Sequence, residues 1–314
     1  MPIINICEEV RDVYKQAAGR RWVIPCFCSE NLTTTEAILS AAQEFAVENG
    51  YKSIPVTVAI TVRYSHRAQS ENYTHTQRWD TGLKLFCADV EVLSSANGPF
   101  PNVDVLIHLD HVQHDEDIEL FSWDLSWFSS IMYDASTLPF TENIRKTSEF
   151  VGRMKDIILI EGACDEIFDA SGGKHNALTT PECAKRYYTE TGVDLLVANL
   201  GTEHRATAQV LHYYGDIAQK IRDEIGYKIV LHGLSSVSLS QVKNLYNDGI
   251  CKVNIWTMLE RDASKTLLEE MKINADKITG SKAAISHFTT LYRQDIVYNK
   301  MKDIVRSFLD MWYI

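Results

Sequence analysis

The amino-acid sequence predicts an α/β fold, a (β/α)8 TIM barrel, from three observations. Eight apolar segments of strand length alternate with segments of helical periodicity. The chain has 314 residues, a normal length for one such barrel, and no linker or low-complexity stretch divides it. Six consecutive strand segments end in polar side chains, and the active sites of these barrels lie at those strand ends. We therefore expect a single domain, residues 1–314, with additional C-terminal helices at about 281–314.

The strand segments are short apolar runs separated by helical spacing. In chain order they cover 22–28, 54–61, 103–108, 129–134, 157–161, 193–200, 228–232 and 249–255. Helical segments between them include 35–48, 141–155, 181–191 and 213–224. This strict alternation favours a barrel over an open doubly wound sheet. The tail after Ser281 is helical in pattern and rich in aromatic residues, which either pack on the barrel or form a dimer contact.

Composition excludes several classes of protein. The formal net charge of −11 disfavours nucleic acid and anionic membranes as partners, because those select basic surfaces. The seven cysteines are odd in number and lack the spacing of a disulfide framework or zinc knuckle, so we expect reduced thiols and a cytoplasmic protein. Residues 1–17 carry charges throughout, unlike a signal peptide. No apolar stretch reaches the roughly 20 residues that span a bilayer.

Three histidines follow three of the strand segments. His111, His204 and His232 stand after the third, sixth and seventh segments, and Asp110 directly precedes the first of them. A single histidine at a strand end is usually a satisfied rim residue. Three of them on one barrel rim predict a metal site, and neutral imidazoles with an open fourth position suit Zn²⁺. Asp110 then either orients a ligand or transfers a proton.

The order and spacing of five motifs resemble the class II, metal-dependent ketose-bisphosphate aldolases, whose best-known members cleave fructose or tagatose bisphosphate. The similarity extends from about Trp22 to Asn254. The motifs are 108–111 (HLDH), 134–144 (DASTLPFTENI), 201–204 (GTEH), 231–235 (LHGLS) and 252–255 (KVNI). The segment 134–144 is the most specific of the five. The resemblance implies a carbon–carbon lyase that cleaves or forms a sugar-like, phosphorylated ketose through a metal-stabilised enediolate.

The resemblance also implies a role for each matching residue. His111, His204 and His232 would bind zinc, while Asp134 and Glu161 would serve an alternative metal position or support the ligands. Asp110 would exchange a proton with the hydroxyl of the breaking bond, and Asn254 would hydrogen-bond the enediolate. Substrate and phosphate contacts would come from Thr61, Arg205, Gly233, Ser235 and Thr257. A homodimer is expected on the same ground.

Several positions depart from the family pattern. The Glu-x-Glu pair after the fifth strand reads Glu161-Gly162-Ala163, which removes the second carboxylate. His175 replaces the residue expected to move the carbon-bound proton, so it is either a mobile general base or a solvated loop histidine.

At the phosphate end, Arg205 stands in place of a glycine and Ala208 in place of a nearby lysine. Arg205 could therefore supply the missing cation or form a surface ion pair. The remaining departures replace an early asparagine, a second glycine and an acidic residue with Cys28, Leu234 and Trp256.

These departures leave three interpretations open. The first is a zinc-dependent aldolase with an altered phosphate or acid group on its substrate. The second is a barrel metal-dependent hydrolase that uses Asp110 as base, against which the retained Asn254 argues. The third is a catalytically inactive aldolase-like protein that binds a metabolite. The retention of Asp110 with all three histidines argues against the third interpretation.

Overall fold

Eight parallel strands close into a barrel in the computed structural model, which describes residues 3–168, 178–206, 212–280 and 284–313. Each strand pairs with the next along the chain, and the first pairs with the last. The strands are β1 Ile24–Cys28, β2 Ile54–Thr61, β3 Val103–Gln113, β4 Ser130–Asp134, β5 Leu159–Ala163, β6 Leu195–Val197, β7 Ile229–Leu231 and β8 Ile250–Ile255. The predicted fold class is therefore confirmed.

Helices surround this barrel. They are α1 Cys7–Arg20, α2 Leu32–Glu48, α3 Gln69–Asn72, α4 Trp79–Ser94, α5 Phe140–Met154, α6 Pro181–Thr191, α7 Gly215–Ile225, α8 Leu239–Val242, α9 Leu245–Asp248, α10 Thr257–Ile273, α11 Ala275–Thr279, α12 Ile285–Phe288 and α13 Thr290–Trp312. Short 3-10 turns lie at Ile118–Ser122, Leu125–Trp127 and Leu234–Ser236. Within the described residues, no helix is both long and apolar enough to cross a membrane.

Local sequence signals set several of these boundaries. The side chain of Asn31 accepts hydrogen bonds from the backbone N–H groups of Thr33 and Thr34 and so begins α2. Thr180 caps α6 in the same way, with Pro181 in its first turn. Helix α6 ends at Gly192, whose φ of 72° is the left-handed conformation that glycine adopts without steric cost.

Strand β3 is longer than its apolar run predicts, and an irregularity near its end shapes the site. Its pairing with β4 shifts register between Leu109 and Val112. At the shift His111 adopts a φ of 47°, in the left-handed region that is rare for residues other than glycine. In a regular strand the side chains of Asp110 and His111 would point to opposite faces. The shift instead lets both contribute to the same end of the barrel.

The C-terminal helices pack against the barrel. Phe308, Leu309 and Trp312 on α13 are buried, and α13 contacts α2 and α10. The ring of Tyr313 stacks on Trp22 with 4.4 Å between centroids, and its hydroxyl donates to the carbonyl oxygen of Pro55 at 2.6 Å. Burying each such side chain contributes about 1.5–3 kcal/mol. Much of the aromatic tail therefore packs on the barrel, which was the first of the two interpretations of this segment.

Candidate metal centre and active site

The three predicted histidines lie together at the carboxyl end of the barrel. His111 ends the regular part of β3, His204 follows β6, and His232 comes directly after β7. One ring nitrogen from each lies within 4.8 Å of the others, an arrangement that could hold a metal ion. The ring of His111 lies 5.1 Å from that of His204 and 4.9 Å from that of His232, centroid to centroid.

The histidine cluster fits a metal on grounds independent of its spacing. Within the part of the chain that the structure describes, the Nε2 atoms of His111 and His232 are buried and have no hydrogen-bond partner, a costly arrangement unless something else binds them. Burial, followed for His204 by the charge of His111, lowers the pKa of His204 well below its usual value. Burial likewise lowers the pKa of His232. Both imidazoles are thus neutral at physiological pH, which is the form that ligates a metal.

Two neighbours fix the ring of His111. Its Nδ1 donates to Oδ2 of Asp134 at 2.9 Å, and the ring of Tyr64 stacks on it at 4.4 Å with an angle of 4° between the planes. Burial raises the pKa of Asp134, but hydrogen bonds from His111 and Ser136 outweigh it and lower the pKa to about 2. An ionised Asp134 keeps the proton of His111 on Nδ1 and presents Nε2 to a metal. Of the two roles expected for Asp134, the geometry matches support of a ligand.

Asp110 is fully buried and held by three side chains. Its Oδ1 accepts a hydrogen bond from Nδ2 of Asn254 at 2.9 Å, and its Oδ2 lies 2.6 Å from Nη2 of Arg67. The thiol of Cys28 lies 3.7 Å from the same Oδ2. Burial raises the pKa of Asp110, but its electrostatic interaction with His111 and its contact with His108 are the first of several interactions that outweigh it and hold the pKa well below its usual value. Asp110 is therefore a carboxylate that can accept a proton.

Beneath Asp110 the barrel interior holds a buried ion pair. Nζ of Lys252 lies 2.5 Å from Oε1 of Glu161, and both side chains are completely inaccessible to solvent. Nε2 of His108 lies 3.7 Å from both Oε2 of Glu161 and Oδ1 of Asp110. Glu161, which sequence analysis assigned to a metal position, lies outside the histidine cluster in the described part of the chain. Its observed partner is Lys252, whose charge it neutralises.

Thr61 is also placed differently from its expected contact with substrate. Its side chain is fully buried, and its hydroxyl donates to the carbonyl oxygen of Arg67. The same hydroxyl accepts a hydrogen bond from the backbone N–H of Gln69 at 3.1 Å. These bonds fold the segment after β2 back over the barrel. Thr61 therefore positions Arg67 in the structure, and its hydroxyl is used within the protein.

Trp256 packs against the guanidinium of Arg67. The guanidinium carbon of Arg67 lies 5.1 Å from the centre of the indole ring, within range of a cation–π interaction. The indole N–H donates to Oε1 of Glu30 at 2.5 Å, and Nε2 of Gln69 donates to the same oxygen at 2.7 Å. Trp256 replaces the acidic residue of the family pattern, and Glu30 places a carboxylate beside it.

The predicted phosphate residues border one small cavity beside Asp110. The cavity has a volume of about 40 Å³. Its lining includes Arg205, Gly233, Ser235 and Thr257, together with Asp110, Asn254 and Arg67. Ser235 Oγ is buried, and no residue that the structure describes forms a hydrogen bond with it. Thr257 begins α10, whose first turn receives no side-chain cap. Backbone N–H groups at a helix N-terminus and an unused hydroxyl are suited to an anion.

Gly233 is required at the edge of this cavity. Its φ is 71°, and a Cβ there would lie 2.8 Å from the carbonyl oxygen of Glu203. A side chain would therefore be strained in backbone conformation and would also clash with a neighbouring backbone.

A larger cleft of about 380 Å³ opens on the other side of His111. It is bordered by Asp134 and by Asp165 and Glu166, which follow β5. Oδ2 of Asp165 accepts a hydrogen bond from the hydroxyl of Thr179 at 2.6 Å. Asp165 and Glu166 are the first carboxylates that follow Ala163 in the sequence. His175 and Ala208 lie outside the described residues.

Three residues of the site and its surroundings were not predicted from the sequence to have a role: Arg67, Tyr64 and Lys252. Arg67 and Tyr64 belong to the segment after β2, where polar residues follow the strand as they do at the other strand ends. That same signal could have identified them. Lys252 lies inside an apolar strand segment, and an isolated charge in such a segment requires a buried partner.

The chain matches a known protein family over nearly its whole length. The family model described as "Fructose-bisphosphate aldolase class-II" matches residues 8–311. The chain is similar to the crystal structure of the YdjI aldolase from Escherichia coli K12, with 22% identity, a TM-score of 0.69 and 96% of each chain covered. It is also similar to a fructose-bisphosphate aldolase from Campylobacter jejuni, with 18% identity, a TM-score of 0.77, and 99% of this chain and 95% of that chain covered. These two likenesses support the barrel fold, and the family match covers nearly the whole chain. The chain therefore belongs to the class II fructose-bisphosphate aldolase family, as its motifs predicted, and is an aldolase-type lyase.

Proposed function

We propose that this aldolase uses Zn²⁺ and cleaves a phosphorylated ketose by a retro-aldol reaction. The observation that carries the proposal is the cluster of three imidazole nitrogens within 4.8 Å of one another. It adjoins Asp110, which is hydrogen-bonded to Asn254, at the carboxyl end of the barrel. Nitrogen ligands in this number are typical of a catalytic zinc site with an open position.

The residues of the site would have two tasks, binding the metal and moving a proton. His111, His204 and His232 would hold zinc, which when bound supplies Lewis-acid polarisation of a ketone carbonyl. Asp110 accepts the proton of the hydroxyl on the carbon that becomes the aldehyde. The carbon–carbon bond then breaks, and its electron pair stays with the ketone half as an enediolate. Oδ1 of Asn254, which is buried without a hydrogen-bond partner in the described part of the chain, is available to a hydroxyl of the substrate.

The phosphate of the ketone half belongs at the first turn of α10. Gly233 offers a close backbone approach, Ser235 an unused hydroxyl, and Thr257 the N-terminus of a 17-residue helix. Arg205 lines the same cavity and adds a cation. For the proton that returns to the enediolate carbon we propose His175, supported by its place in the segment that follows β5 in sequence.

The test pairs metal content with turnover. Purified protein is assayed for zinc by mass spectrometry and for cleavage of fructose bisphosphate, tagatose bisphosphate and their monophosphates. We expect one zinc per chain, and turnover of at least one of these phosphorylated ketoses. The variant His232→Ala should lose both zinc and turnover. His114→Ala is the matched control, because His114 pairs with Asp115 and lies outside the histidine cluster.

Three other results would contradict the ligand assignment, the substrate class or the metal requirement. Full zinc content in His232→Ala would refute the ligand assignment. Zinc without cleavage of any of the four sugars would refute the proposed substrate class. Turnover that is unaffected when zinc is removed by a chelator would refute the metal requirement.

We also propose a homodimer and a cytoplasmic location. The outer faces of the C-terminal helices support the dimer, because Leu268, Ile273, Ile285 and Leu291 are 55–75% exposed there and exposed apolar patches mark interaction sites. Leu291→Glu should convert a dimer to a monomer in sedimentation velocity, and a wild-type monomer would refute the dimer. All seven cysteines are free thiols, which supports a reducing compartment.

A further inference from the structure

Arg67 places a fixed positive charge in the wall of the small cavity. Its side chain is only 14% exposed, and Nη2 contacts Asp110 at 2.6 Å. Its own carbonyl oxygen is held by the hydroxyl of Thr61, while the indole of Trp256 lies against the guanidinium. The backbone, one end of the side chain and one face of the guanidinium are therefore all constrained. The charge is in place before any substrate binds.

The bond to Asp110 leaves donors of Arg67 unused. A guanidinium has five N–H donors in a planar fork. Its Nε is buried and has no hydrogen-bond partner among the described residues, although the side chain lines the cavity. A buried donor without an acceptor is costly. The arrangement therefore suits a second anion beside the carboxylate of Asp110.

The position of this unused donor relative to Asp110 sets which part of the substrate can reach it. By the proposed function, Asp110 takes the proton from the hydroxyl on the carbon that becomes the aldehyde. Because Arg67 bonds directly to Asp110, a group that reaches both must be attached close to that carbon. The guanidinium of Arg67 presents its donors in one plane. A planar carboxylate matches this fork geometry and can be bonded directly to the aldehyde carbon, whereas a phosphate ester needs a bridging carbon and oxygen.

We propose that Arg67 is a specificity-determining residue that binds a carboxylate on the aldehyde half of the substrate, one or two carbons from the bond that breaks. This inference rests on the proposed function and deepens it. The aldehyde product is then a short oxo acid. Trp256 and Thr61 serve as positioning residues for the guanidinium, and Glu30 holds Trp256 through its indole N–H.

The experiment measures acceptor preference in the direction of condensation. Zinc-loaded enzyme is given dihydroxyacetone phosphate with glyoxylate, glycolaldehyde or glyceraldehyde 3-phosphate. Glyoxylate and glycolaldehyde differ at the group next to the aldehyde, a carboxylate in one and a hydroxymethyl in the other. We expect kcat/KM for glyoxylate to exceed that for glycolaldehyde at least tenfold. Arg67→Met should lower this ratio at least tenfold, and Arg67→Lys should lower it less.

The ratio separates recognition from damage to Asp110, since loss of the Arg67–Asp110 contact slows both acceptors alike. Arg63→Met is the matched control. Arg63 lies on the same segment but contacts Glu119 at 2.6 Å and does not line the cavity. This control should keep the ratio of the wild type.

The outcomes distinguish this inference from the proposed function. An unchanged ratio in Arg67→Met, or a wild type that prefers glycolaldehyde, overturns the inference alone. A larger loss with glyceraldehyde 3-phosphate than with glyoxylate overturns the choice of carboxylate over phosphate. If the wild type neither condenses any aldehyde nor exchanges a proton of dihydroxyacetone phosphate with solvent, the proposed function fails, and this inference fails with it.

Discussion

The buried pair of Lys252 and Glu161 allows a quantitative test of how the barrel tolerates charge in its interior. The two groups are 2.5 Å apart, and neither side chain is exposed. Oε2 of Glu161 already lacks a hydrogen-bond partner. In Lys252→Met, the remaining carboxylate would stay buried without its cation. Breaking such a pair costs about 3–5 kcal/mol, which reduces the folding equilibrium constant by roughly a hundred-fold to several thousand-fold.

A double substitution separates the lost pair from the lost volume. If the cost of Lys252→Met comes from the stranded charge, replacing Glu161 as well should recover most of it. Apolar side chains of similar size often substitute for a buried ion pair with little loss. We therefore expect Lys252→Met/Glu161→Leu to be more stable than Lys252→Met alone.

The assay is reversible urea unfolding followed by circular dichroism at pH 7.5, without added metal. Lys265→Met is the matched control, because Lys265 lies on α10 with a side chain that is 67% exposed. An exposed ion pair contributes about 0–1 kcal/mol, so the control should unfold at nearly the same urea concentration as the wild type. The reasoning is refuted if Lys252→Met loses no more stability than Lys265→Met, or if the double variant is the least stable of the set.

Three further substitutions test the surroundings of the site. Asp134→Asn should weaken zinc binding by about 10–100-fold in a titration against a competing chelator, and an unchanged affinity would contradict its role in holding His111. Burial, and then the charge of Glu30, raises the pKa of Glu260 to about 7 from 4.5. The folded state therefore binds this proton more tightly than the unfolded state, and the protein loses stability as pH rises from about 4.5 through 7. Glu260→Gln should be more stable than the wild type at pH 8, by about 3 kcal/mol at most, and the difference in urea midpoint should be smaller at pH 5. Equal differences at both pH values would contradict this prediction. Thr61→Val should cost about 0.5–1.5 kcal/mol, as measured by urea unfolding, because it removes the hydroxyl that bonds the Arg67 carbonyl oxygen and the Gln69 N–H, while those two groups still bond each other. A neutral effect would show that the segment after β2 does not depend on Thr61.

The strand and helix pattern was the most predictable part of the molecule. The segment 54–61 coincides with β2, and the helix at 181–191 coincides with α6. Both are defined by local signals: an apolar run of β-branched residues, and a threonine cap followed by proline. The third strand was underestimated because the prediction depended on an apolar run, and the strand continues beyond that run through His108, Asp110 and His111 to Gln113.

The chemistry of the site was predictable where it depends on strand ends, but not where it depends on contacts across the barrel. The three histidines follow three strands, and the closure of the barrel brings them together. The pairing of Glu161 with Lys252 joins β5 to β8 across the interior, and no local pattern encodes that distance. For the same reason, the assignment of Thr61 to substrate overlooked its bonds to Arg67 and Gln69, which depend on how the following segment folds.

The left-handed backbone at His111 lowers the stability of the fold at a residue that the proposed activity needs. A residue with a side chain costs about 1–2 kcal/mol in that conformation, whereas glycine adopts it freely. Arg205, also at the site, shares this conformation with a φ of 53°. Glycine at position 111 would relieve that strain but would leave the Asp134 carboxylate without its hydrogen bond and the Tyr64 ring without its stacking partner. The strained backbone is therefore kept in place by its neighbours, and engineering for heat resistance should leave Tyr64 and Asp134 unchanged.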